Sequence, residues 1–238
     1  MMPPSCSLAV PPLVSVNLSG INGSNISTLE AMFNSCSELV SVALPDLSDS
    51  IATNTQTMFF DCVKLAELDL SGVHMPYLSN MENMFRRCKS LTSIDLSALG
   101  ASDVKDMDSV FSECTSLERV DLSGLEGSSP KEMNELFSAC SSIKELDLTA
   151  LDSSQAKTLN YLFYNCPQLK RVDLSSFDTS GAVQMEDMFG GCVALREVRL
   201  GKGFSFSGVG QEPLCLLPSM SGEHVIGWRS SSGQIYAA

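Results

Sequence analysis

The nine cysteines of this chain are its groups best suited to chemistry, as thiolate nucleophiles, disulfide partners or ligands for a soft metal. Seven of them, Cys36, Cys62, Cys88, Cys114, Cys140, Cys166 and Cys192, stand 26 residues apart without one insertion or deletion. No two form a close Cys-x-x-Cys, so a zinc site would have to draw its ligands from different repeats. The spacing instead predicts seven reduced, buried thiols serving as small core residues. No metal or cofactor is expected. Cys6 and Cys215 fall outside the series, with Cys215 the more exposed. The two histidines, His74 and His224, lie in no nucleophile or metal motif and read as surface residues. No residue is assigned a catalytic role, and the chain is expected not to be an enzyme.

Carboxylates form a second series: Asp69, Asp95, Asp121, Asp147 and Asp173, with Ala43 before them and Arg199 after. In parallel register, about 5 Å apart, they would repel one another. Ser71, Ser97, Ser123, Thr149 and Ser175 each follow an Asp by two residues and can donate hydrogen bonds to it. The other remedy, a cation such as calcium between neighbours, lacks the glycine pattern of a calcium loop. Two residues before each Asp runs the series Glu67, Ser93, Arg119, Glu145, Arg171 and Glu197. Its last four members alternate in sign, which suits a ladder of cross-strand ion pairs. Glu67, Asp69, Asp95, Arg119, Asp121, Glu145, Asp147, Arg171, Asp173 and Arg199 therefore make a candidate binding face. Phe60 and Tyr164 stand where other repeats carry Asn34, Arg86, Ser112, Ser138 and Gly190, at a position expected to face away from the core. They are candidate exposed aromatics for anchoring a partner.

These side chains need a repeating scaffold. Phe33, Phe59, Phe85, Phe111, Phe137, Phe163 and Phe189 keep the same 26-residue interval, three residues before each cysteine. A fixed period of this length marks a solenoid, in which each repeat packs only on its neighbours. Met107, Val110, Phe111 and Cys114 are spaced i, i+3, i+4, i+7, which places them on one face of a short helix. Val120 and Leu122 flank Asp121 in the alternation of a short strand. Ser27 to Glu30 has the form of a capping box, and Pro130 suits a helix start. The pattern predicts an α/β solenoid with one short helix and one short parallel strand per unit. Its half unit, with Leu13, Val16 and Leu18 in the strand columns, and its seven full units fill residues 1–200. Residues 201–238 are expected to cap it, with Trp228 over the last apolar rung. Helices of adjacent units pack about 8–10 Å apart, more than the roughly 7 Å between Cα atoms that a disulfide tolerates.

The net charge of −13 and pI of about 4.5 argue against nucleic acid and against an anionic membrane surface. No stretch approaches the roughly 18 apolar residues of a membrane span. The N-terminal segment MMPPSCSLAVPPLVSV lacks basic residues, and Pro11 and Pro12 break its apolar run, so it is a poor secretory signal.

The pattern Met-x-x-Met-Phe-x-x-Cys-x-x-Leu-x-x-Leu-Asp-Leu-Ser, followed by a stretch like Phe177-Asp178-Thr179-Ser180, resembles a 26-residue repeat of bacterial surface proteins related to the BspA-like leucine-rich repeats. The resemblance covers roughly residues 13–200, with its best copy between Leu169 and Leu200. It implies a leucine-rich-repeat-like fold, and a cell-surface or secreted protein that adheres to a protein or glycan. No catalytic residue carries over. The lack of a signal peptide or wall anchor departs from the family's pattern. Either the gene start is wrong, the chain is one part of a larger protein, or it is not exported; the alternative functions are a structural spacer or an intracellular protein-interaction scaffold.

Overall fold

The computed structural model of the chain describes residues 12–181, 184–205, 228–229 and 235–236. Cys6, Cys215, His224 and most of the expected C-terminal cap lie outside them. Eight short strands repeat along the solenoid: β1 (Ser15–Asn17), β2 (Ser41–Ala43), β3 (Glu67–Asp69), β4 (Ser93–Asp95), β5 (Arg119–Asp121), β6 (Glu145–Asp147), β7 (Arg171–Leu174) and β8 (Glu197–Leu200). Neighbouring rungs pair parallel and in the register of the columns, as in Val16↔Val42↔Leu68 and Leu146↔Val172↔Val198. The hydrogen-bonded pairing is interrupted between β3 and β4 and between β5 and β6. β9 (Trp228–Arg229) and β10 (Ile235–Tyr236) pair antiparallel.

The Phe–Cys segment is not helical. Among the described residues the only helical element is a single 3₁₀ turn at Ser123–Leu125. The bonding of one rung shows why. The amides of Met81, Asn83, Phe85 and Arg87 donate to the carbonyls of Asp106, Asp108, Val110 and Ser112 in the next rung, at 2.8–2.9 Å. The intervening amides of Met84, Arg86 and Cys88 close four-residue turns onto Met81, Asn83 and Phe85 at 3.0–3.2 Å. Half the amides thus bind the neighbouring rung, and no i to i+4 ladder forms. Rung spacing requires this. Successive column phenylalanines stack with ring centroids 5.2–6.2 Å apart, whereas helices need about 8–10 Å between axes. One helix per unit is therefore corrected to a chain of stacked β-turns, making a leucine-rich-repeat-like β-solenoid with both flanks at strand spacing. The capping box does not form either: the Glu30 amide donates to Thr28 Oγ1 at 3.1 Å.

The columns meet in one continuous core. Phe59, Phe85, Phe111, Phe137, Phe163 and Phe189 are fully buried, together with the strand-entry leucines and the methionines beside the phenylalanines. The first rung is the exception. Leu13, Ile21 and Met32 occupy core columns yet are exposed, since no described rung lies on their N-terminal side. The seven cysteines among the described residues are free thiols, buried from Cys62 to Cys192 and half-buried at Cys36. The spacing of helices therefore has no bearing on them. Each buried thiol donates to the carbonyl of a column phenylalanine one rung back, as Cys62 does to Phe33 at 3.0 Å and Cys114 to Phe85 at 3.0 Å. Burial pushes the Cys62 and Cys114 thiols up to about 12, which removes thiolate chemistry at neutral pH.

Candidate functional site

The strand face carries the two charged columns side by side, because alternate residues of a strand point the same way. Between them runs an open trough of about 590 Å³ from Ser93 to Arg199. Ile94, Val120, Leu146 and Val172 line it, together with both charged walls. Asp95, Arg119, Asp121, Glu145, Asp147, Arg171, Asp173 and Arg199 all border this trough. Glu67 and Asp69 lie on β3, beyond its N-terminal end.

In-register carboxylates survive here because each is tied locally. The Oδ1 atoms of Asp69, Asp95, Asp121, Asp147 and Asp173 accept the amides of Ser71, Ser97, Ser123, Thr149 and Ser175 at 2.8–2.9 Å. Thr149 adds its hydroxyl at 2.6 Å. Hydrogen bonds from Ser71 and Ser97 hold the Asp69 and Asp95 carboxyls below the usual range. Burial opposes the same effect at Asp173, but Ser175 and Arg199 outweigh it and lower that group too. Among the described residues no three His, Cys, Asp or Glu side chains converge as metal ligands.

The ion-pair ladder forms at one end only. Arg171 lies between Glu145 and Glu197 at 3.3 and 3.5 Å, and Arg199 between Glu197 and Asp173 at 3.0 and 3.5 Å. Arg119 makes no ion pair among the described residues, because the pairing of β5 with β6 is interrupted beside it. The trough therefore ends in a self-neutralised network under β6–β8. Near β4 and β5 it keeps one unpaired guanidinium among the exposed carboxylates of Asp95, Asp121 and Asp147.

The aromatic candidates lie elsewhere. Tyr164 is exposed and Phe60 half-buried, both on the turn segment and outside the trough lining. Sequence reasoning passed over Tyr161, whose ring meets Tyr164 edge-on at 5.6 Å and 84°. An aromatic three residues before the outward position was the available signal. His74 is a surface residue with Nδ1 3.3 Å from the Ala98 carbonyl.

A second polar flank was also passed over. Parallel bridges join Asn54, Asn80, Asp106, Glu132, Thr158 and Gln184 in sequence. Asp108 beside them accepts the Asn134 amide at 2.6 Å. Its carboxyl is pushed up to about 6, mainly by burial and further by Asp106 and Glu132. The native state thus holds this proton more tightly than the unfolded chain, whose carboxyl titrates near 3.8. Stability should rise as pH falls from 7.5 through 6 toward 5, by about 1 kcal/mol after allowance for partial exposure. Urea unfolding across that range is expected to show the rise, and Asp108→Asn to reduce it while stabilising the protein at pH 7.5; Asp106 and Glu82, whose carboxyls burial also raises, keep the remainder.

Comparison with known proteins places this geometry. The leucine-rich repeat protein of T. pallidum is similar over 77% of this chain and 78% of its own, at 24% identity and a TM-score of 0.55. That likeness is one of fold. A leucine-rich cell surface protein of Faecalibacterium prausnitzii matches 79% of this chain and 60% of its own, at 18% identity and a TM-score of 0.39. A leucine-rich repeat protein of Bacteroides ovatus matches 79% and 63%, at 17% identity and a TM-score of 0.35. No curated protein matches the chain. Residues 13–120 and 79–200 match the family described as "Mycoplasma protein of unknown function, DUF285", a span that includes every rung of the solenoid. The chain belongs to that family.

Proposed function

We propose that the chain is a non-catalytic, adhesin-like repeat protein, displayed at a cell surface, that holds a protein partner along its strand face. The trough under β4–β8 carries this reading. It is wide enough for side chains, open along its length and floored by apolar strand residues. Its walls are charged, so they can select partners by complementarity. The stiffness of a stacked solenoid adds support, since a preformed surface loses little entropy on binding. No part of the reading requires a reactive group.

The test is a charge swap on the wall. Arg119→Glu, Glu145→Arg and Arg171→Glu together should weaken binding of a partner isolated with the wild-type chain by at least about tenfold, or 1.4 kcal/mol. Thermal melting should stay close to wild type, because these side chains are exposed. Unchanged affinity in the folded variant would remove the strand face from the binding account.

A further inference from the structure

The sheet opens between β5 and β6, and the opening is acidic. Leu96 donates its amide to the Asp121 carbonyl at 2.9 Å and Leu148 to the Asp173 carbonyl at 3.2 Å, but among the described residues no such bond joins Leu122 to Asp147. The chain after β5 leans the other way. Its 3₁₀ turn, Ser123–Leu125, packs on the preceding rung, where a Cβ on Gly124 would meet the Leu96 carbonyl at 2.0 Å. On its far side it leaves an open hollow of about 610 Å³ beside the trough. Apolar side chains such as Val120 and Ala150 line this hollow, together with the carboxylates of Asp121, Glu126, Asp147 and Asp152 and no cation. Asp121 and Asp147 also border the trough, so the two depressions share a wall.

At the β7–β8 end of the same face the chain neutralises itself, since Arg171 and Arg199 engage Glu145, Asp173 and Glu197. Around the hollow it does not. Asp121, Glu126 and Asp147 make no ion pair among the described residues, and neither does Arg119 on the trough side. Asp121 and Asp147 are each held through Oδ1, by the amides of Ser123 and Thr149 at 2.8 and 2.9 Å. Their Oδ2 atoms have no partner among the described residues. Like charges kept this close repel in the free protein, and a cation seated between them removes the repulsion. We propose that the hollow receives a basic segment of the protein partner. Its lysine or arginine side chains meet Asp121, Glu126 and Asp147, while an acidic side chain of the same segment meets Arg119. The proposal rests on the protein-binding reading of the strand face and adds the chemistry of the occupant. Charge complementarity selects that occupant, because an acidic or neutral segment would cover these carboxylates and leave them unpaired. The apolar lining suits it too, since lysine and arginine lay their methylene stems on apolar surface with the charged head at the rim.

Fluorescently labelled octalysine is the probe, titrated with the full chain at low ionic strength and read by anisotropy. Saturable binding is expected, and none with octaglutamate. Asp121→Asn, Glu126→Gln and Asp147→Asn together should weaken it about tenfold. The melting temperature should not fall, because asparagine keeps the Oδ1 acceptor for Ser123 and Thr149. Asp46→Asn, Asp49→Asn and Asp178→Asn remove the same charge outside both depressions and should change the affinity by less than about twofold. No binding, equal loss in the two variants, or spermine binding as tightly as octalysine would overturn the assignment. If it falls while the swap at Arg119, Glu145 and Arg171 still weakens the isolated partner, the protein-binding reading stands without it. If the swap is silent as well, both fall.

Discussion

Phe111→Ala should cost about 3–5 kcal/mol in a urea titration, the largest effect of any single substitution considered for this chain. Phe111 is fully buried, and its ring stacks on Phe85 at 5.7 Å and on Phe137 at 5.2 Å. Removing it takes a core side chain and both ring contacts from the middle of the array. Backbone hydrogen bonds to both neighbouring rungs fix the spacing, so the void cannot close by local collapse. Stability in a solenoid is held mainly by neighbouring interfaces. Weakening one in the centre should therefore also separate the unfolding of the two halves, seen as a broadened transition. Phe33→Ala should cost less, because Phe33 has a ring partner on one side only. A loss below about 1 kcal/mol at Phe111 would mean the column does not carry the core.

Ser153→Ala should cost about 1–3 kcal/mol, although it removes one oxygen. Ser153 is fully buried; its hydroxyl donates to the Asp178 carbonyl at 3.0 Å and accepts the Asp178 amide at 2.8 Å. Both backbone groups would lose their partner between adjacent rungs. One period later Thr179 makes the same pair of bonds to Ser205, at 2.8 and 2.7 Å. Ser153→Thr should therefore restore most of the lost stability. Equal loss in the alanine and threonine variants would show that packing, not the hydroxyl, governs this position.

The core was legible in the sequence because a rung-to-rung repeat turns each sequence column into a physical stack. Phe85, Phe111 and Phe137 could be placed on one another from their numbers alone. The helix was misread for an equally definite reason. The spacing of Met81, Met84, Phe85 and Cys88 fits one face of a helix, and it fits two successive four-residue turns as well. Such turns need a left-handed residue at their third position, usually Gly or Asn. Here those positions hold Asn83 and Arg87, at φ of 55° and 66°, or Ser109 and Glu113, at 57° and 61°. Of the pair in each rung only Gly191 is a glycine, so the usual turn signal was missing. Inter-rung bonding holds the others in a conformation that costs an isolated residue about 1 kcal/mol or more.

The candidate face was legible to a similar depth. The charged columns and the serine ties of Asp69 and Asp95 could be read from spacing. That Arg171 is paired while Arg119 is not could not be. The difference comes from the break between β5 and β6, which the repeat pattern does not encode. The raised carboxyl of Asp108 was equally hidden, since it follows from burial on a flank that looked like the outer surface of a helix.

The most direct test of the binding account is to ask which face touches a partner. A photo-crosslinking residue placed at Ser93, on the trough wall, is compared with one at Val193, exposed on the turn segment away from it. Both variants are irradiated with the same partner, each also in the background carrying the Arg119, Glu145 and Arg171 swap. The account expects a partner adduct from Ser93 that disappears with the swap, and none from Val193. An adduct from Val193 alone, or one from Ser93 that persists with the swap, would contradict it.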